Sequence, residues 1–171
     1  MRSRLLFVGI LSVLLVALAG CGGQAQAPAP TGGASAPKVK EDVTIGVTAP
    51  MTGTYAEYGQ IWKKSFDIAL EEINSKDVIP GKTLKLQIED SQADPKQAAT
   101  IAKKLADDPK IAAVIGDFSS SAALAGAPIY LSAKKVQLSP TASDPKFSLS
   151  GDYMFSIVGS QKGEAPFLSD M

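Results

Sequence analysis

From Glu41 onward the spacing of apolar positions changes period several times, and each change marks an element. Val43, Ile45 and Val47 alternate with Thr44, Gly46 and Thr48, the two-residue period of a β-strand. Trp62, Phe66, Ala69 and Ile73 then recur at i, i+4, i+7 and i+11, which places them on one face of a helix, with Lys63, Lys64, Asp67 and Glu71 elsewhere. After a Pro80-Gly81 turn, Leu84, Leu86 and Ile88 alternate with Lys85, Gln87 and Glu89 as a second strand. Asp94 is placed to cap a second helix, and Pro95 fits its first position because a missing N–H costs nothing there. Ala98, Ile101, Ala102 and Leu105 form that helix's buried stripe. The continuous apolar run Ile111–Ile115 is what a strand buried on both faces requires. Residues 119–132, rich in alanine, predict a third helix whose middle is weakened by Gly126 and Pro128, and residues 136–138 and 153–158 predict two more short strands. Strands and helices in this order give an α/β domain: an open, mostly parallel sheet with helices on both faces. In such sheets ligands collect at the carboxyl ends of the strands, near the point where strand order reverses.

The first 40 residues follow none of these periods. Arg2 and Arg4 precede an apolar run over residues 5–18, the pattern of an export signal. A spanning helix needs roughly 20 apolar residues, and this run gives way to Gly20, Cys21, Gly22 and Gly23. Residues 24–37 are almost entirely Ala, Pro, Gly, Gln, Ser and Thr, a composition that cannot bury enough apolar surface to offset its ordering entropy and therefore predicts a flexible tether. The chain divides into a signal peptide at 1–20, a tether at 21–40 and one folded domain at 41–171. Leu18-Ala19-Gly20-Cys21 resembles the lipobox of bacterial lipoproteins. That resemblance implies that Cys21 carries a diacylglyceryl thioether and becomes the first mature residue. Each buried methylene contributes about 0.8 kcal/mol, so the lipid on Cys21 implies an exported protein held on the outer face of the cell membrane or in the periplasm.

Composition narrows the chemistry. Cys21 is the only cysteine, which excludes a disulfide framework within the chain and any cysteine-rich zinc site. Histidine is absent, so no Ser-His-Asp or Cys-His arrangement can be assembled. Without Arg2 and Arg4 the 17 basic residues become 15 against 17 acidic ones, a net charge of −2, and no basic patch argues for nucleic acid. No G-x-G-x-x-G follows the first strand, and Pro80-Gly81-Lys82-Thr83 joins helix to strand instead of strand to helix, so neither nucleotide-binding pattern is met. Glu89, Asp90 and Asp94 read as surface acids and a helix cap in preference to a metal site. The expectation is a binding protein, not an enzyme, without cofactor or metal.

Three polar segments fall at predicted strand ends: residues 48–59, 116–121 and 139–143. Ser119, Ser120 and Ser121 also open the third helix, where hydroxyls and unpaired backbone N–H groups favour an anion. The helix dipole contributes about 0.3 to 1 kcal/mol there, and hydrogen bonds to a charged group roughly 1.5 to 3 each. The plain alternative is that one serine caps the helix and the others are solvated. Ser139-Pro140-Thr141-Ala142-Ser143 weighs against it by bringing further hydroxyls and free carbonyls to the same predicted edge.

Taken together, Thr52-Gly53 with Tyr58-Gly59, Asp90 with Asp94-Pro95, Ile115-Gly116 with Ser119-Ser120-Ser121, and Ser139-Pro140-Thr141-Ala142-Ser143 resemble the leucine/isoleucine/valine-binding protein family. These are the extracytoplasmic receptors of branched-chain amino acid ABC importers. The resemblance implies the Rossmann-like first lobe of a type I periplasmic binding protein, a small amino acid or amide ligand, and ABC permease subunits as partners. It further implies that Ser120 and Ser143 donate to the ligand carboxylate, with the Ser143 N–H helping. The Thr141 carbonyl would accept from its ammonium and Tyr58 would pack over it, with Ser119 and Ala142 beside them. Tyr58, between Glu57 and Gly59, is expected on a loop. Two departures stand out: Phe155-Ser156-Ile157-Val158-Gly159-Ser160-Gln161 lacks the arginine and aspartate that many relatives carry there, and 171 residues suit one lobe where the family has two, which reads as a truncated chain. A second role on the same fold, a sensor of a small amide, urea or aromatic compound, would call for a transmembrane or signalling segment.

Overall fold

A computed structural model describes residues 40–169; the expected signal peptide, Cys21 and the tether up to residue 39 lie outside the described residues. Five parallel strands, β1 (Glu41–Ala49), β2 (Lys82–Asp90), β3 (Ile111–Ile115), β4 (Val136–Ser139) and β5 (Met154–Ser156), form one sheet in the order β2-β1-β3-β4-β5. Between them run α1 (Ala56–Ser75), α2 (Pro95–Asp107), α3 (Ser120–Ser132) and the single turn α4 (Pro145–Ser148), and α5 (Gln161–Ser169) follows β5. The chain moves from β1 outward to β2, then returns past β1 to β3, so strand order reverses between β1 and β3. No helix among the described residues is long and apolar enough to cross a membrane.

Neighbouring residues of β1 show how the two faces are covered. Ile45 lines a small apolar hollow of about 100 Å³ with Phe66, Leu70 and Ile73 of α1, whereas a side chain on Gly46 would meet Leu105 of α2 at 2.9 Å. The α2–α3 side is the tighter one. Ala102 of α2 and Ala123 and Ala127 of α3 are fully buried with Leu105, Val114 and Phe147. Gly126, expected to weaken α3, lies where that helix crosses α2: a Cβ there would come 3.1 Å from the Tyr130 ring and 3.4 Å from Ala102. Its small size brings the two helices together, and Pro128 is accommodated on α3's exposed side.

The start of α2 is satisfied as the sequence suggests. The Asp94 carboxylate accepts from the N–H groups of Lys96 and Gln97 at 3.0 and 2.8 Å, with Pro95 in the first position. At the other end of α2 the Lys135 ammonium donates to the carbonyls of Leu105, at 2.8 Å, and Asp108, placing a cation on the negative end of the dipole.

β3 differs from its expected burial on both faces. Ile111 and Val114 are buried against α2 and α3, but Ala113 and Ile115 are only half-buried, because α1 lies over β1 and β2 and covers this face incompletely. Ala112 is exposed where the β1–β3 register slips, Thr44 pairing with Ile111 and Ile45 with Ala113.

Candidate functional site

The carboxyl ends of the strands converge at the β1–β3 reversal. Gly116, closing β3, has φ of +128°, and a Cβ there would sit 2.2 Å from the Thr48 carbonyl oxygen, so glycine lets β3 end against β1. The loop after β1 is held from β2. Asp90 Oδ1 accepts from the N–H groups of Met51 at 2.9 Å and Gln92 at 3.0 Å, and its Oδ2 from the Thr52 hydroxyl. Burial pushes the Asp90 carboxyl up, but the Thr52 hydroxyl and these amides hold it, on balance, below its ordinary value.

Ser139 ties the third and fourth strand ends together. Its fully buried hydroxyl donates to the Asp117 carbonyl at 2.8 Å and accepts from the Ala142 N–H at 2.9 Å. The Thr141 hydroxyl donates to the Phe118 carbonyl at 2.6 Å, and Ser120 Oγ accepts from the Asp144 N–H at 3.3 Å. Residues 116–121 and 139–144 are thereby stitched into one rim. The start of α1 and the residue before it meet the loop after β3 in an aromatic wall: Tyr58 stacks on Phe118 with centroids 4.7 Å apart, and Tyr55 lies 5.3 Å from the same ring. Tyr55 and Tyr58 remain 44% and 42% exposed, so the wall faces open space.

The structure brings the expected ligand-binding residues Tyr58, Ser119, Ser120, Thr141, Ala142 and Ser143 to this rim, but not in equal states. Tyr58 lies in the first turn of α1, not on a loop. The glycine beside it, which looked like a loop signal, is where the helix meets Pro50: a Cβ on Gly59 would be 2.2 Å from the Pro50 carbonyl oxygen. Ser119 is the cap of α3, its hydroxyl accepting from the Ala122 N–H at 3.2 Å and approaching the Ala93 carbonyl at 3.3 Å. Ala142 is buried, its N–H on Ser139 and its carbonyl accepting from the Ser156 hydroxyl at 2.7 Å. Both hold the rim together. Ser120 keeps its hydroxyl proton to donate. Among the described residues, the Thr141 carbonyl, the Ser143 hydroxyl and the Ser143 N–H have no protein partner. Partly exposed donors and an acceptor without protein partners therefore gather beside an aromatic wall, at the positive end of α3.

Sequence reasoning assigned no individual role to Phe118, Asp117 or the Ser139 of the 139–143 segment. Asp117 is 1% exposed; burial pushes its carboxyl up to about 6 against the Ser91 and Thr48 hydroxyls and the Phe118 and Ser119 amides. Those hydroxyls lie near enough to lower it, yet Oδ2 has no partner in hydrogen-bond geometry. Burial, followed by the charges of Asp117 and Glu89, also raises the Tyr130 phenol. Several surface hollows lie elsewhere. One of about 500 Å³ between α2 and α3, lined by Lys103, Asp107, Ile129 and Ser132, faces away from the strand ends. The strand-end rim is preferred because polar groups from separate segments that lack protein partners among the described residues converge there.

An open parallel sheet with polar groups gathered at its strand ends has the geometry in which α/β domains hold ligands. The chain belongs to the periplasmic binding protein family, whose model matches residues 42–167. It is 36% identical over 121 residues to an amino acid binding protein of Pseudomonas aeruginosa, covering 69% of this chain and 32% of that one. It is 33% identical over 110 residues to Leu/Ile/Val-binding protein homolog 1 of Brucella abortus, covering 64% and 29%. An ABC transporter substrate-binding protein from Desulfitobacterium hafniense, solved in complex with Leu, superposes with a TM-score of 0.69 at 30% identity, covering 76% of this chain and 38% of that one. The chain thus spans about a third of the length of these relatives.

Proposed function

We propose that the protein is an extracytoplasmic solute-binding lipoprotein that presents an amino acid with an aliphatic side chain to an ABC importer. The observation that carries this reading is the convergence of Ser120, Thr141 and Ser143 beside the Tyr58–Phe118 wall, with donors and a carbonyl acceptor that lack protein partners among the described residues. The ligand carboxylate takes the Ser120 and Ser143 hydroxyls and the Ser143 N–H at the positive end of α3. Its ammonium donates to the Thr141 carbonyl. The apolar side chain lies along Tyr58 and Phe118. Relatives named for amino acids and for Leu/Ile/Val support the ligand class. One lobe leaves the ligand's other side open, so the lobe by itself binds weakly. The Arg2–Arg4 and residue 5–18 pattern before Leu18-Ala19-Gly20-Cys21 supports export and lipid anchoring at Cys21.

Calorimetry with L-leucine, L-isoleucine, L-valine and a set of sugars tests the ligand class: heat with the amino acids is expected, and heat with sugars alone overturns it. Cys21→Ser is expected to move the protein from the membrane fraction to the supernatant; unchanged membrane association removes the lipid anchor.

A further inference from the structure

Three buried polar atoms take no part in the bonding that stitches the rim, and their residues meet beneath the first turns of α3. We infer that these atoms hold an internal water, which donates to Asp117 Oδ2 and Gln137 Oε1 and accepts from the Tyr130 phenol.

Asp117, Tyr130 and Gln137 are each 1% exposed. Among the described residues, the buried side-chain atoms without a hydrogen-bond partner are Asp117 Oδ2, Tyr130 Oη and Gln137 Oε1. They come from three segments that meet at one level of the fold. The Gln137 amide, on β4, donates to the carbonyls of Gly116 at 3.0 Å and Ala123 at 3.3 Å, so its head group lies between the end of β3 and the start of α3. Asp117 is the residue after Gly116, and its other carboxyl oxygen accepts from the Phe118 N–H at 2.6 Å. Tyr130 lies two helical turns beyond Ala123 on the same face of α3. Its ring passes 3.1 Å from where a Cβ on Gly126 would stand, so the side chain runs back along α3 toward Ala123. Burial raises the phenol, and Asp117 lies near enough for its charge to add to that rise.

The chemistry of the three atoms is the complement of one water. Because Gln137 Nε2 faces two carbonyls, the amide orientation is fixed and Oε1 is left as an acceptor. Asp117 Oδ2 accepts as well, while Tyr130 Oη has a proton to give. A buried water satisfies two to four polar partners, and its two protons and a lone pair match this set. A metal ion matches it less well, since it would leave the phenol proton without an acceptor. Neighbouring side chains do not fill the role: Ala122 and Ala123 are buried without a polar atom, and the Thr48 and Ser91 hydroxyls beside the carboxyl are out of hydrogen-bond geometry with Oδ2.

The three segments so joined are those that build the rim. α3 carries Ser120, β4 leads into residues 139–143, and Asp117 precedes Phe118. The water braces them from below without touching the ligand.

The test needs no amino acid, so its failure is separate from failure of the proposed binding. In a high-resolution crystal structure of the protein without ligand, one ordered water is expected within hydrogen-bond distance of Asp117 Oδ2, Gln137 Oε1 and Tyr130 Oη. Direct bonds among those atoms, or a metal ion in that place, overturn the inference. In solution, magnetic relaxation dispersion of the water oxygen counts long-lived internal waters. Tyr130→Phe, which removes the hydroxyl and keeps the ring, is expected to lose the contribution of one such water, and an unchanged dispersion overturns the inference equally. Should that variant not fold, the crystal structure of the unaltered protein decides.

Discussion

Ser139→Ala is the sharpest single perturbation of the rim. The hydroxyl is fully buried, donates to the Asp117 carbonyl at 2.8 Å and accepts from the Ala142 N–H at 2.9 Å. Alanine fits the space but leaves a carbonyl and an N–H unpaired in the interior. Each buried unsatisfied group costs about 1 to 3 kcal/mol, and partial relaxation of the 139–142 turn recovers some of it, so a loss of roughly 2 to 4 kcal/mol is expected. Ser143→Ala removes the same atom four residues later, where the hydroxyl has no protein partner among the described residues, and is expected to cost less than about 0.5 kcal/mol. Urea unfolding followed by both Trp62 fluorescence and circular dichroism measures the difference between the two variants. Equal, small losses in both would refute the claim that Ser139 joins the two strand ends.

Further outcomes follow from the same geometry. Gly116→Ala is expected to cost about 3 kcal/mol or more, since its Cβ would sit 2.2 Å from the Thr48 carbonyl oxygen at φ +128°; thermal unfolding reads this directly. Asp94→Ala is expected to lose about 1 kcal/mol by removing the α2 cap, with Asp94→Ser recovering most of it in the same melt. For Asp117, a folded-state value of about 6 lies above the ordinary 3.8, so the stability its proton supplies is fully present below about 3.8 and is lost as pH rises through about 6. That rise corresponds to about 3 kcal/mol. Asp117→Asn is therefore expected to stabilise the protein at about pH 7.5 and to have little effect near pH 4, and a variant destabilised equally at both would contradict the burial argument.

The architecture was legible wherever one local rule decides an element. The alternation around Val43–Val47, the Asp94-Pro95 start of α2 and the apolar run at Ile111–Ile115 each depend on neighbours in sequence, and each element stands where those rules place it. Tyr58 was misplaced onto a loop because Gly59 reads as a breaker; the reason for that glycine is the Pro50 carbonyl across the β1–α1 turn, which no local pattern records. The open side of β3 was equally hidden, since it depends on where α1 lies. Of the rim, the serines were visible as hydroxyls near a helix start, but their division of labour was not. Ser119 caps, Ser120 meets Asp144, and Ser139 holds Asp117, through bonds joining residues up to 24 apart. Asp117 looked like one acid among 17 until β1, β3 and β4 closed around it.

The most direct measurement is an amide-resolved NMR titration of the protein with L-leucine, repeated with glucose. Saturable shifts confined to Tyr58, residues 118–121 and residues 141–143 are expected with leucine and not with glucose, weakened in both Ser120→Ala and Ser143→Ala. Shifts gathered instead in the α2–α3 groove around Lys103 and Ile129, or no response to leucine at millimolar concentration, would contradict the assignment of the strand-end rim as the binding site.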